Sequence, residues 1–300
     1  MNGIIVIDKP AGPTSAEIVR QIKAGLGKHT RVGHLGTLDP FATGVLPILI
    51  GEATKLAPFL QEGEKEYTGL IRLGIETDTL DSTGPIARTA PVPQFDQPLL
   101  ERVAGQFRGT IEQTPPIFSA IKRGGVPLYK LARRERQIEP PAPRRVTIKS
   151  LQLEKAGDDA ISFCLVCSSG MYVRALARDI GNALNTAAHL FELRRTRSGA
   201  FSLSHARCFQ DVIADLQRGE APRPISMRAA LAALPESVID PALEKRIRQG
   251  DSRALDHVRR KNAGLFKVIS RGELLALARS TSRSTAAIVR VFGANREEHR

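Results

Sequence analysis

Apolar residues near the start of the chain predict a strand followed by a helix. Residues 3–7 form a β-branched run that ends before Pro10, as expected for a buried strand leading into a turn. Thr14 and Glu17 then have the spacing of a capping box, and apolar residues recur at helical spacing up to Gly27. We therefore expect a helix directly after the first strand.

Similar patterns predict further elements along the chain. Strands are expected at 45–50, 65–73, 146–153 and 160–167, and helices are expected around 99–107 and from shortly after Gly170 to Leu184. The segment after Cys208 is rich in Ala, Pro and Arg, which indicates a helical or irregular link. The tail alternates apolar and polar residues in "GLFKVIS", "ELLALAR" and "AAIVRVF", which predicts a small β domain.

The stretch "GHLGTLDPFATGVLP" at 33–47 interrupts these patterns with glycines, prolines and one acidic residue, Asp39. Glycine permits backbone angles that other residues avoid, and Pro40 favours an extended conformation at Asp39. We expect a loop here. An Asp before Pro commonly initiates a turn, and the local pattern alone favours that interpretation.

Composition adds a strong charge bias. The 300 residues include 44 Lys and Arg against 31 Asp and Glu, a formal net charge of +13, which attracts polyanions such as nucleic acid. The three cysteines, Cys164, Cys167 and Cys208, are too few for a disulfide framework and fit a reducing compartment. With no signal peptide or membrane span expected, the cytoplasm is the predicted location.

A basic excursion bounded by prolines runs from about 113 to 145. It is interpreted either as a solvated surface or as an arm that contacts phosphates. Its second half contains closely spaced cations at Lys130, Arg133, Arg134, Arg136, Arg144 and Arg145.

Metal and cofactor chemistry have little support in the sequence. "CLVC" lacks a second ligand pair at zinc-finger distance and is typical of a buried strand. Glu76, Asp78 and Asp81 lack the spacing of a calcium loop and fit turn chemistry. HExxH, P-loop and post-strand GxGxxG motifs are also absent, so we expect an enzyme without a cofactor.

Five segments, taken in order, resemble the TruB family of pseudouridine synthases. They span the first two thirds of the chain. They are "DKPAGPTS", the stretch at 33–47, "KEYTGLIRLGIETDTLDSTG", "QTPPIFSAIKRGGVPLYKLAR", and "SSGMYVRALARDIG" with "LRRTRSGAF" after it.

The resemblance implies an α+β fold with a mixed, largely antiparallel central sheet, flanking helices and an RNA-binding insertion at about 113–145. It also implies a catalytic domain at 1–208, a linker at 209–235 and a small PUA-like β domain at 236–300. The expected reaction is isomerisation of a uridine to pseudouridine at position 55, in the T-loop of tRNA.

The resemblance also assigns roles by position. Asp39 matches the reacting carboxylate, which attacks C1′, attacks C6 or acts through a glycal intermediate. Arg174 matches the arginine that pairs with it and is expected to lower its pKa. Tyr67 matches the tyrosine that stacks on the base, and Lys9 is expected to support the loop. Three further residues match the lining of the pocket: His34, Tyr172 and Leu193.

The implied partner is the T stem-loop of tRNA, bound by a monomer that needs no guide RNA, protein partner or membrane. Two alternatives remain open. A non-catalytic RNA-binding protein or RNA chaperone on the same scaffold would not need Asp39 together with Arg174. A metal-dependent phosphohydrolase would use the acidic residues at 76–81 and would lose activity with a chelator.

Overall fold

The structure is a computed structural model that describes residues 1–119, 121–132, 139–256, 263–280 and 286–293, with only the backbone at 127, 129 and 130. The helices are α1 (Ser15–Leu26), α2 (Ala57–Leu60), α3 (Gln97–Phe107), α4 (Leu128–Ala132), α5 (Val173–Ala183), α6 (Phe209–Gln217), α7 (Met227–Ala230) and α8 (Glu244–Arg248). The strands are β1 (Gly3–Lys9), β2 (Val32–His34), β3 (Thr43–Ile50), β4 (Lys65–Leu73), β5 (Ile75–Thr77), β6 (Ile86–Thr89), β7 (Gly109–Gln113), β8 (Lys122–Arg123), β9 (Val126–Pro127), β10 (Arg144–Lys155), β11 (Ala160–Cys167), β12 (Ala188–Ser198), β13 (Phe201–Ser202), β14 (Ala206–Cys208), β15 (Glu236–Val238), β16 (Gly264–Ser270), β17 (Glu273–Ser280) and β18 (Ala286–Val291).

The central sheet has the order β14-β1-β3-β12-β4-β11-β10-β7, with β2 added to β3 and β13 added to β12. The β1–β14 and β3–β12 pairs are parallel, and the other pairs in the sheet are antiparallel. The predicted mixed, largely antiparallel sheet is confirmed. Its order places β12 between β3 and β4, so segments far apart in sequence meet at the middle of the sheet.

The first helix forms as its capping signal predicts. The Glu17 amide donates to the Thr14 hydroxyl at 3.1 Å, and the Glu17 carboxylate accepts from the Thr14 amide at 2.7 Å. These reciprocal bonds satisfy amides that the first turn of a helix leaves free. Ile18 and Ile22 are fully buried against the sheet, so the amphipathic face and the cap act together to fix α1.

The expectation of a loop across 33–47 is wrong at both ends. His34 pairs with Ile48 as β2 meets β3, and β3 already begins at Thr43. The apolar side chains after Gly44 are buried in the core. Hydrogen bonding of this segment to neighbouring strands is therefore more favourable than an open loop. The loop that carries Asp39 is therefore shorter, at 35–42, and each of its ends is hydrogen-bonded into the sheet.

The expected C-terminal β domain is a four-stranded sheet in the order β15-β16-β17-β18. It packs against the N-terminal part of the chain through a shared apolar cluster in which Phe292 and Leu277 join Ile4 and Leu49. The Glu52 carboxylate accepts a hydrogen bond from the Gly293 amide at 2.7 Å beside this cluster. In the described part of the chain, no helix has the length and apolarity that crossing a bilayer requires.

Replacing Phe292 with alanine tests this docking. Phe292 is fully buried in the shared cluster, and truncation of a buried Phe costs about 3–5 kcal/mol because a cavity is left behind. We expect a loss of that size in the free energy of unfolding, measured by urea denaturation. Val289→Ala is the control, because Val289 is exposed and should change stability by less than about 0.5 kcal/mol. Equal losses in both variants would contradict the packing described here.

Candidate active site

The loop at 35–42 is fixed from one side by Lys9, whose side chain is fully buried. The Lys9 Nζ donates to the carbonyls of Pro10 at 2.8 Å, Pro40 at 3.0 Å and Ala42 at 2.8 Å. An ammonium has three donors and no acceptor, so these bonds use its whole capacity. Lys9 therefore sets the path of the chain on the C-terminal side of Asp39.

Arg195 fixes the loop from the opposite side. Arg195 is 1% exposed, and its guanidinium donates to the carbonyls of Val45 at 2.8 Å, Gly36 at 3.1 Å and Thr37 at 3.3 Å. Gly44 has φ +102°, and a Cβ atom there would collide with the Arg195 backbone. The close approach of β3 to β12 thus requires glycine at this position.

Ser15 ties down the middle of the loop from the first turn of α1. Its hydroxyl accepts from the Leu38 amide and donates to the Leu38 carbonyl, both at 2.9 Å. Leu38 itself is buried in the main core. Asp39 directly follows Leu38, whose backbone is held by two hydrogen bonds, so the backbone position of Asp39 is also fixed.

Arg174, on the first turn of α5, binds the Asp39 carboxylate. The Arg174 Nε lies 2.9 Å from one oxygen of Asp39 and Nη2 lies 3.4 Å from the other. The same guanidinium donates to the carbonyls of Thr79 at 2.8 Å and Phe118 at 2.9 Å. The Arg174 side chain is 7% exposed and that of Asp39 is 34% exposed, so the carboxylate faces the solvent side of the pair.

The pKa of Asp39 is raised above its usual value. Burial raises it most, Arg174 lowers it, and the nearby Asp81 carboxylate raises it again. Arg174 lowers the pKa of Asp39 as expected, but the loss of solvation raises it by more, so the net change is upward. The result is a carboxylate that is held in place by a cation and is more basic than an ordinary aspartate.

Asp81 was missed as a site residue, since its sequence context indicated only a turn. It does organise the turn: one oxygen accepts from the Thr79 hydroxyl at 2.7 Å and from the Thr83 amide at 3.0 Å. Its other oxygen lies 3.6 Å from Arg174 Nη1, and the residue is 5% exposed. Arg174 thus lies between two carboxylates, which the sequence spacing did not reveal.

Tyr67 and Leu193 lie on the face of the sheet next to the loop. In the strand register Tyr67 lies opposite Arg195, and Leu193 lies opposite Gly69, one pleat further along. Both side chains are buried in the cluster that contains Leu38. Burial raises the pKa of the Tyr67 hydroxyl while its hydrogen bond with Arg195 opposes that rise, so the phenol is neutral near pH 7.

His34 and Tyr172 lie at two different edges of this region. His34 ends β2 directly before the loop, and burial together with Arg195 lowers its pKa, which favours the neutral ring. Tyr172 caps α5, and its ring lies 4.3 Å from the Arg144 guanidinium. The structure therefore joins Asp39 with Arg174 directly, places Tyr67 and Leu193 beside them, and sets Tyr172 at the base of the basic excursion.

Within the described ranges, no three His, Cys, Asp or Glu side chains come together as a metal-binding group would require. Glu76 instead pairs with Arg88 at 2.9 Å, and Asp81 faces Arg174. Cys164 is exposed and Cys167 is buried on one strand. Of the cations predicted in the excursion, Arg133, Arg134 and Arg136 lie outside the described residues, as does the Lys130 side chain.

Comparison with known proteins identifies the family. Residues 23–173 match the model of the TruB family pseudouridylate synthase N-terminal domain. The chain belongs to the TruB family. It is therefore a pseudouridine synthase enzyme, as the resemblance of its motifs implied. Residues 174–235 match the tRNA pseudouridylate synthase B C-terminal domain.

Curated relatives extend the match. The tRNA pseudouridine synthase B of Geotalea uraniireducens (strain Rf4) is 41% identical over 276 residues, covering 92% of this chain and 86% of that one. The protein of the same name from Francisella philomiragia subsp. philomiragia is 46% identical over 207 residues, covering 69% of this chain and 68% of the relative. The TruB similarity thus reaches well beyond the loop with Asp39.

Solved structures share the fold. A Cbf5-Nop10-Gar1 complex contains a chain that aligns with a TM-score of 0.71 at 26% identity, covering 97% of this chain and 85% of that one. An H/ACA RNP bound to a substrate RNA containing 2′-deoxyuridine aligns with a TM-score of 0.70 at 24% identity and the same coverage. These alignments confirm the pseudouridine synthase fold for nearly the whole chain.

One buried cation beside the site has no hydrogen-bond partner within the described ranges. Lys65 lies two residues before Tyr67, is 6% exposed, and faces Cys167 and Ser198 across the sheet. Burial, with a further contribution from Arg195, lowers its pKa to about 8. An ammonium with a lowered pKa destabilises the folded state below that pH, and the penalty fades as pH rises towards the unfolded value.

Lys65→Met tests this penalty. We expect the free energy of unfolding at pH 7 to rise by on the order of 2–3 kcal/mol, because an unpaired buried charge is replaced by an apolar chain of similar length. The gain should shrink at pH 10, as measured by urea denaturation at both pH values. Lys149→Met is the control, since Lys149 is exposed and its ion pair with Glu64 lies at the surface. A variant less stable than the wild type at pH 7 would show that Lys65 is compensated.

Proposed function

We propose that this enzyme converts the uridine at position 55, in the T-loop of tRNA, to pseudouridine, and that Asp39 is the reacting carboxylate. The observation that carries the proposal is the Asp39–Arg174 ion pair on a loop anchored by Lys9, Ser15 and Arg195. The names of the relatives, tRNA pseudouridine synthase B, support tRNA as the substrate.

The reaction conserves all atoms of the nucleotide. The bond between N1 of uracil and C1′ of the ribose breaks, the ring turns, and a bond forms between C5 and C1′. The proton on C5 leaves, and N1 gains one. An ionised carboxylate can serve this sequence by adding to C1′ or to C6 and leaving again, or by accepting a proton on the way to a glycal. The raised pKa of Asp39 suits either role, since it increases basicity.

The surroundings of Asp39 suit a flipped base. A uridine in a folded RNA loop must leave its stack, which costs a few kcal/mol that stacking in the pocket has to offset. Tyr67 and Leu193 supply an aromatic and an aliphatic surface beside the loop, and His34 supplies a neutral imidazole at its edge. We assign these three residues and Tyr172 to substrate binding.

The remaining parts of the proposal concern how the RNA is held. A net charge of +13 favours a polyanion, and we propose the excursion at about 113–145 as an arm that contacts RNA. We keep the division into a catalytic domain at 1–208, a linker at 209–235 and a PUA-like domain at 236–300. The enzyme is proposed to act in the cytoplasm as a monomer, without a metal, cofactor, guide RNA or protein partner.

Asp39→Asn tests the reacting group. The amide preserves the size of the side chain but loses its charge and nucleophilicity, so we expect no pseudouridine at position 55 of a tRNA transcript, mapped after incubation with enzyme. Binding of the transcript should stay within a few-fold of wild type. Asp158→Asn, at an exposed Asp, is the matched control and should remain fully active. Appreciable turnover by Asp39→Asn would contradict the assignment.

The pH dependence of the single-turnover rate tests the electrostatics. Asp39 must be ionised, so the rate should fall as pH drops through its raised pKa. Asp81→Asn removes a carboxylate that raises this pKa, and the acid limb should therefore move to lower pH. The maximal rate should fall at the same time, because Arg174 loses a charged neighbour. An acid limb that stays in place would show that Asp81 does not act on Asp39.

A further inference from the structure

The basic excursion joins the central sheet at the residue pair Gln113 and Arg144, which we call the neck. Strand β7 ends at Gln113 and β10 begins at Arg144, and these two residues lie opposite each other in the antiparallel register. The excursion therefore leaves and rejoins the central sheet at one cross-strand pair. Both members of that pair contact Tyr172, the residue that caps α5.

Gln113 holds Tyr172 through the backbone. Its side chain is 1% exposed, its Nε2 donates to the Tyr172 carbonyl at 3.1 Å, and its Oε1 accepts from the Tyr172 amide at 2.9 Å. A buried amide that satisfies both the donor and the acceptor of one residue fixes the position and orientation of that peptide. The Arg144 guanidinium lies 4.3 Å from the Tyr172 ring and holds the side chain of the same residue.

Arg174 follows Tyr172 by two residues, so the start of α5 sets where its guanidinium lies. The Tyr172 carbonyl also accepts the first helical bond of α5, from the Leu176 amide at 3.1 Å. A second contact from the excursion reaches Arg174 itself, because Nη2 donates to the Phe118 carbonyl at 2.9 Å. The arginine that binds Asp39 is thus held through its backbone by the neck and through its guanidinium by the excursion.

We propose that Gln113 is a positioning residue for Arg174 in the pseudouridine synthase reaction. The proposal rests on the proposed role of the Asp39–Arg174 pair. Gln113 acts on the reacting carboxylate through Tyr172 and Arg174, and it belongs to the base of the arm that we propose contacts RNA. The proposed arm is therefore linked to the ion pair at two points. The Gln113 amide is linked to it through Tyr172, and the Phe118 carbonyl accepts a hydrogen bond from Arg174 itself.

Gln113→Met removes both bonds to Tyr172 while keeping the length of the side chain. We expect the single-turnover rate of pseudouridine formation to fall roughly 10- to 100-fold, as for loss of two hydrogen bonds, with the Kd for tRNA within about threefold of wild type. The acid limb of the rate should move to higher pH, because a displaced Arg174 lowers the pKa of Asp39 less. A solely structural Gln113 would not move that limb.

Gln97→Met is the matched control. Gln97 also donates from its amide to a backbone carbonyl, that of Leu153 on β10, at 2.7 Å, but it lies on α3 away from Tyr172. We expect its rate and acid limb to match wild type. A Gln113→Met enzyme with a wild-type rate and acid limb would overturn the proposal, as would a Gln97→Met enzyme that shows the same losses as Gln113→Met.

Gln113→Glu gives a second test that does not depend on how well the methionine variant folds. A carboxylate still accepts from the Tyr172 amide but no longer donates to its carbonyl, so half of the contact remains. We expect the rate to fall below that of wild type and the acid limb to move to higher pH, because the lost bond to the Tyr172 carbonyl loosens the start of α5. A wild-type rate with an unmoved acid limb would contradict the proposal. Asp39→Asn assayed in parallel distinguishes a failure of the positioning role of Gln113 from a failure of the proposed reacting group. If it is inactive while Gln113→Met is normal, only the positioning role fails, and if it is active, the proposed reacting group fails.

Discussion

Two buried cations, Lys9 and Arg195, determine the shape of the loop that carries Asp39. Each donates to three backbone carbonyls in or beside that loop, from opposite sides. Burial lowers the pKa of Lys9 to about 8, and the negative charge of Asp39 opposes this change. Burying a cation without a paired carboxylate is costly, and the carbonyl bonds together with Asp39 offset part of that cost. The loop carbonyls therefore stabilise both cations, and the Asp39 carboxylate also stabilises Lys9.

The order of the central sheet brings the other residues to that loop. Strand β12 lies between β3 and β4, so Arg195 reaches under the loop while Leu193 and Tyr67 lie on the same face beside it. Arg174 comes from a separate helix, and its place is set by contacts from Asp81, Phe118 and the neck of the excursion. Each residue of the candidate site is thus held in place by contacts with segments that are distant in sequence.

Several local elements could be predicted from the sequence, although the ends of the loop at 33–47 could not. The capping box of α1 and the bounds of β4 and β11 are found where the pattern placed them. The pattern could not tell which arginine of "LRRTRSG" faces inward, because a bulge between Arg195 and Arg197 interrupts the alternation of β12. It also could not reveal Asp81 or the raised pKa of Asp39, since both depend on burial created by distant segments.

We propose that this anchored loop presents Asp39 to a uridine that has left the RNA stack. A crystal structure of the enzyme with a T stem-loop RNA tests it most directly. We expect the target base to lie against Tyr67 and Leu193, with a carboxylate oxygen of Asp39 within about 3.5 Å of the ribose or the uracil ring. A target uridine still stacked in the RNA loop, with Asp39 facing solvent, would show that Asp39 is not the reacting group.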